Sequence, residues 1–201
     1  KAVMHIVNAV FGEYALTLSD QTTTAYPKLE YCTQYNESDF HFLSRLLEEH
    51  GIFYWFEHTD QDNKVMFGDS RTAYADCALS SSVAYAPQSS GREGTYGAQM
   101  TEFSATASMV SGKHSTEDYD FRNFALHTVA SKTSTSEFGK NGYEEFFYPA
   151  GEEGYVEATA TNLSTPNLGA IFLDAVALAA DATAEVFRGS TDLRSMCCGY
   201  T

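Results

Sequence analysis

The chain is poor in positive charge. Twelve lysines and arginines face 27 aspartates and glutamates, leaving a formal charge of −15 over 201 residues. Such a field repels phosphate and anionic lipid, so no nucleic acid is expected as a partner. Two readings of the charge remain: solubility, or electrostatic matching to a partner with a basic face. Long apolar runs are lacking as well, so no stable membrane insertion is expected. Cysteine is scarce: Cys32, Cys77, Cys197 and Cys198 fit neither a zinc spacing nor a Cys-x-x-Cys motif. Adjacent Cys197 and Cys198 cannot easily bridge each other. Four reduced thiols are expected, as in a protein folded in a reducing cytoplasm. The opening stretch lacks the charged head and cleavage site of a signal peptide, and position 1 is Lys1. We therefore expect no signal peptide and a chain that starts inside a longer protein.

Catalytic patterns are equally sparse. The six histidines are scattered, without His-Glu-x-x-His spacing, so no metal is expected. Gly91, Gly94 and Gly97 are not set between a strand and a helix as a phosphate loop requires. The most tempting motif is Val65-Met66-Phe67-Gly68-Asp69-Ser70. It resembles the nucleophile block of GDS-type serine esterases, in which a histidine must take the serine proton. No histidine here has an aspartate three positions before it, and the last one is His127. The simpler reading is that Asp69 and Ser70 cap a turn at a strand end. No catalytic residue and no cofactor are expected.

What the chain does have is apolar material, 43% of its residues, with 14% aromatic. Residues 30–70 are its clearest stretch. Asn36 or Ser38 can cap a helix over 38–50, with Glu37 and Asp39 complementing its dipole. Phe40, Leu43 and Leu47 share a face, widened by Phe42 and Leu46. Gly51 suits a left-handed C-terminal cap. A hairpin over 52–68 follows: the aromatic run Phe53-Tyr54-Trp55-Phe56, a polar turn at 59–63, and Lys64 to Phe67 returning. Phe53 and Trp55 share one face, Tyr54 and Phe56 the other. Both faces are apolar, so either the strand is central within its domain or another subunit covers one face. Phe40, Leu43, Leu47, Phe53, Trp55 and Phe56 are the core or interface candidates.

Elsewhere the pattern is weaker. A helical face is carried by Ala2, Ile6 and Val10, residues 14–18 read as extended, and 29–35 alternate as a strand. Residues 83–87 suggest a short edge strand ended by Pro87. The Ser- and Gly-rich residues 88–97 suit a linker between a part at 1–90 and a part at 91–201. Two strands are expected around a turn at Ser111-Gly112. Residues 124–135 alternate weakly, with turns at 136–141 and 149–151. Thr165-Pro166 can start a helix. That helix is expected over about 170–188, with Leu173, Val176, Ala180, Ala184 and Phe187 on one face and Gly189 as its stop. Residues 196–201 read as the start of a strand that runs on. Separated hairpins and lone helices indicate a mainly β, α+β fold.

The residues from Tyr31 to about Ser70 carry a family pattern: Tyr-Cys-x-Gln-Tyr-x-Glu-Ser-Asp-Phe-x-Phe, Ser-Arg-Leu-x-Glu-Glu-x-Gly-Ile, then the aromatic strand. The pattern resembles the VgrG spike proteins of type VI secretion systems, which resemble the hubs of contractile phage tails. Fainter echoes follow at Ser111-Gly112-Lys113, Asp118-Tyr119-Asp120-Phe121 and Phe147-Tyr148-Pro149. The resemblance implies two β-barrel-like hub domains with helical insertions. It implies a homotrimer in the full-length protein, seated on the Hcp tube and working with effector and tip proteins. It also implies a structural role without catalysis, with assembly in the bacterial cytoplasm followed by export through the apparatus. A phage tail hub is the alternative within the same class, and the esterase the alternative from another.

Overall fold

The computed structural model describes residues 1–26, 28–29, 31–60, 62–77, 82–86, 98–119, 127–148 and 168–201. The first helix, α1 (Val3–Gly12), is followed by β1 (Thr17–Asp20), α2 (Asp39–Glu49) and the hairpin β2 (Phe53–His58) and β3 (Asn63–Gly68). Then come β4 (Ala84–Tyr85), β5 (Gln99–Ala107), β6 (Val110–Tyr119), β7 (His127–Thr133), β8 (Gly139–Phe147), α3 (Leu168–Ala184) and β9 (Glu185–Thr191). The strands form three three-stranded sheets, ordered β1-β3-β2, β4-β5-β9 and β7-β6-β8. The fold is thus mixed and strand-rich. Among the described residues, no sheet closes into a barrel.

Local chemistry explains α2. Ser38 stands extended as N-cap, and its hydroxyl accepts from the His41 amide. Gly51 takes φ +67 after the helix, the left-handed geometry glycine allows without strain. It is also a point of close approach, since a Cβ there would lie 3.0 Å from Ala175 Cβ of α3. The buried stripe is Phe42, Leu43, Leu46 and Leu47. Phe40 is 64% exposed instead of joining it. It lies about a quarter turn off the stripe's centre, in the first turn of the helix.

The stripe packs into one cluster with Val3 and Val7 of α1, Leu29, Ile52, and Val65 and Phe67 of β3. Phe11 of α1 meets Phe67 edge-on at 5.7 Å. The N-terminal helical face therefore centres on Val3 and Val7, with Ile6 and Val10 half-buried beside them. The extended segment after α1 starts at Thr17, beyond the left-handed Ala15, and pairs parallel to β3.

Several expectations change. Residues 31–35 form no strand: Lys28 makes one bridge to Ala2, and Leu29 bonds to the Lys1 carbonyl. Nor does burial follow the alternation: Leu29 is buried and Cys32 packs against the core, but Tyr31 and Tyr35, in phase with Leu29, are in solvent. Without a partner strand, nothing holds alternate side chains on opposite faces. Ser111-Gly112 is not the turn between two strands. The break falls at Ser108-Met109, and β6 runs on through a register shift between Ser111 and Lys113. The last helix stops at Ala184, and residues 185–191 are a strand. Val186 and Phe187 suit a ladder, and β5 offers one, from Ala107 opposite Glu185 to Met100 opposite Thr191. Gly189 then sits inside β9, opposite Phe103.

The short β4 is an edge strand, parallel to β5. Residues 192–201 make one parallel bridge, Ala75 to Tyr200. Pro27, the Pro87 stop, the 88–97 linker, Asp120-Phe121, residues 124–126, the turn at 149–151 and the Thr165-Pro166 start lie outside the described residues.

Candidate functional site

The hairpin organises the region that merits a functional reading. Its register pairs Tyr54 with Phe67, Trp55 with Met66 and Phe56 with Val65. Of the two alternatives for the aromatic strand, the central position belongs to β3 instead, and β2 is at the sheet edge. This decides the fate of its two faces. Val65 and Phe67 lie under the helices, but their neighbours Phe56 and Tyr54 sit one strand further out and are 52% and 38% exposed. Tyr54, Phe56 and His58 form a ladder of ring contacts, 6.0 Å between the first two and 6.2 Å between the last two.

On the opposite face Trp55 is buried. Phe53 stacks on it at 5.8 Å, and Tyr74 meets both rings. Gly199 closes the site, for a Cβ there would come within 2.2 Å of Trp55 Cδ1. The segment around Gly199 is thus its cover. Of the six sequence candidates, Leu43, Leu47 and Trp55 are buried, Phe53 is half-buried, and Phe40 and Phe56 are exposed. The cover on each face separates Phe56 from Trp55, since Tyr74 and the Gly199 segment lie on Trp55 whereas the helices cover Val65 and leave its neighbour Phe56 exposed, and no local signal in the run Phe53 to Phe56 could have done so.

The Gly-Asp-Ser end of β3 is built as an anchor. The Asp69 carboxylate accepts from the amides of Thr23 at 2.9 Å and Thr24 at 2.7 Å, and from the Tyr26 hydroxyl at 3.2 Å. Burial pushes its pKa up, but the Thr23 and Thr24 bonds outweigh that and hold it below the ordinary carboxylate value. Tyr26 is raised, first by burial and then by the Asp69 charge. Ser70 Oγ lies 2.6 Å from Thr72 Oγ1. An activated nucleophile would need a histidine at that distance.

A cleft of about 280 Å³ lies between this anchor and α3, with Tyr26, His50, Lys132, Asp174 and Asp181 among its walls. Its carboxylates are structural too: Asp174 pairs with Lys132 at 2.5 Å, and Asp181 accepts from the Thr135 amide at 2.9 Å and from Ser134. His50 Nδ1 lies 2.8 Å from the Leu46 carbonyl. Among the described residues no group of three or more metal-ligating side chains converges. What these contacts do chemically is tie α3 to β7 and to the loop after it, and close the end of α2.

A second exposed aromatic surface lies on the β5–β9 pair. Phe103 and Phe187 stack at 5.7 Å, yet each is more than half exposed. Neighbours on the other face of the pair, such as Glu102, Ser104 and Arg188, are exposed as well. The helix-length reading of residues 171–188 concealed this surface.

The chain is similar to curated spike proteins of type VI secretion systems from Pseudomonas aeruginosa. It is 34% identical over 122 residues to VgrG1c and 36% identical over 129 residues to VgrG5. Those stretches are 60% and 63% of this chain but only 16% and 15% of the relatives' own lengths. Among solved structures it is similar to the E. coli c3393 protein, described as a type VI secretion component resembling the T4 tail proteins gp27 and gp5. That likeness has 22% identity and a TM-score of 0.42, covering 54% of this chain and 28% of the other. No helix of the described residues is long and apolar enough to cross a membrane. A profile of the phage tail baseplate hub (GPD) family matches residues 1–201, and with its VgrG-like sequence the chain belongs to that family.

Proposed function

We propose that this chain is a structural part of the hub of a VgrG-type spike. It assembles as a homotrimer on the Hcp tube, with effector and tip proteins as further partners. Within the ring, residues 1–90 and 91–201 act as two barrel-like hub units. Assembly takes place in the bacterial cytoplasm, and the apparatus then exports the spike. The observation that carries this reading is the hub-family match over the whole chain, alongside relatives that are spike proteins. The surfaces support it: an edge strand bearing Tyr54 and Phe56, and the two-sided β5–β9 pair, are of the kind that assembly covers. A closed ring also suits a tube, because a cyclic contact stops growing once it closes.

Three chains of −15 carry −45, a self-repulsion the interface must outweigh. Salt screens it over a Debye length of about 8 Å at physiological strength. Light scattering of the complete protein across a salt series should give trimers throughout. This chain alone should be a monomer at low salt and form at most weak trimers at high salt. A complete protein that stays monomeric overturns the reading. The family profile itself favours a phage tail hub as the second reading, and co-purification with Hcp rings rather than a phage tube distinguishes the two.

Hub assembly needs no catalytic residue. Asp69 spends its carboxylate on loop amides, so Ser70 should stay unlabelled by an organophosphonate probe. Labelling that requires the folded chain and is lost in Ser70→Ala would favour the esterase.

A further inference from the structure

Residues 192–201 leave β9 and cross to the hairpin sheet, where they cover Trp55. Their hold is a short parallel pairing: Thr201 N–H donates to the Ala75 carbonyl at 2.9 Å, and Cys77 N–H donates to the Thr201 carbonyl at 2.8 Å. The Cys77 thiol reaches into the same segment, donating to the Ser195 carbonyl at 3.0 Å, two residues before Cys197. Cys197 and Cys198 are exposed, while Cys77 is half-buried. The Cys77 thiol is thus seated against the segment that carries the exposed pair. Cys32 packs elsewhere, against the helix-backed core. Neighbouring cysteines do not readily bridge each other. Cys77 is therefore the intramolecular partner open to the exposed pair.

We infer that Cys77 and the pair Cys197–Cys198 form a redox clamp: a disulfide from Cys77 to one of the pair locks residues 192–201 over Trp55. The oxidant is a small-molecule disulfide such as oxidised glutathione. The exposed thiolate attacks it, forming a mixed disulfide and releasing one glutathione. The Cys77 thiolate then attacks the protein sulfur of that mixed disulfide, and the bond to the second glutathione breaks. Two protein thiols lose two electrons and two protons, and the glutathione disulfide leaves as two thiols. The chemistry does not rest on the hub reading. A chain passing from a reducing to an oxidising compartment would close the clamp on the way.

Trp55 is the chain's single tryptophan, so its emission reports on the cover directly. The whole chain is incubated with oxidised glutathione, its remaining thiols are blocked, and it is digested for mass spectrometry. The expected product is a peptide joining Cys77 to Cys197 or Cys198, two hydrogens lighter than the separate thiol peptides. Bridging a loop of about 120 residues should move the Trp55 urea transition upward by on the order of 1–2 M. Dithiothreitol should reverse the shift, which needs no variant. Cys77→Ser should abolish both cross-link and shift, and so should the surface double variant Cys197→Ser with Cys198→Ser. A disulfide that omits Cys77, no intramolecular disulfide, or a cross-link that leaves the Trp55 transition in place would overturn the clamp.

Discussion

Two parts of this molecule carry aromatic β-strands, and they treat their rings in opposite ways. In the N-terminal part, Phe67 is fully buried beneath α1 and α2, with Val65 beside it. In the β5–β9 pair, Phe103 and Phe187 lie stacked in the open. Strand composition does not separate them, since both segments are rich in residues that favour sheets. What differs is the covering layer. Two amphipathic helices flank the first sheet in sequence and fold back onto it. The third helix, α3, covers the sheet of β6 and β7 instead, where Phe172 meets Phe147 edge-on at 5.6 Å. Burying a phenylalanine is worth about 1.5–3 kcal/mol, whereas an exposed ring pair gains about 0.5–1.5 kcal/mol from mutual contact. The first region thus supplies its own stability. The second displays surface that a larger assembly can use.

The comparison can be broken most directly at the helix stripe. Leu43→Ala or Leu47→Ala should each destabilise the chain by about 2–5 kcal/mol in urea unfolding. Losses below about 1 kcal/mol for both would remove α2 from the core.

The Asp69 anchor comes next. Asp69→Asn should cost about 1.5–3 kcal/mol, the range for hydrogen bonds to a charged group. The pH dependence has a definite sign. The folded pKa of Asp69 lies below its unfolded value, so its contribution is present above about pH 4 and is lost as pH falls through the folded pKa. Unfolding curves from pH 7 downward should show that loss in the wild type and a smaller one in Asp69→Asn.

Ser38→Ala removes the bond to the His41 amide and should cost about 0.5–2 kcal/mol, read as a lower urea midpoint with unchanged slope.

The smallest effect belongs to the other region. Phe187→Ala should cost the chain only about 0.5–1.5 kcal/mol, the value of its ring contact with Phe103. A loss matching that of Leu43→Ala would show that the β5–β9 pair is part of a core, and the contrast between the regions would fail.

Much of the first region was legible in the residues because its signals are local. Ser38, the Phe42 to Leu47 stripe and Gly51 delimit α2 over residues 38–51, and the polar turn at 59–63 marks the hairpin. The alternation over 29–35 predicts a strand that does not form, because a ladder needs a partner and alternation does not supply one. The Gly-Asp-Ser motif was legible as strand-end chemistry, but its hold on Thr23 and Thr24 joins residues 46 and 45 positions apart. No spacing rule reaches that far.

By itself, then, the sequence determined the elements whose hydrogen bonds and periodicity close over short distances, together with an acidic charge and a family pattern at Tyr31 to Ser70. Tertiary structure decided the rest: that residues 185–191 extend a sheet rather than a helix, that β2 is an edge, and that Gly199 covers Trp55. The reason is physical. A helix finds its bonding partners four residues away, whereas Ser104 and Arg188 meet across β5 and β9 at a separation of 84. Which segments come together over such distances depends on the packing of the whole chain.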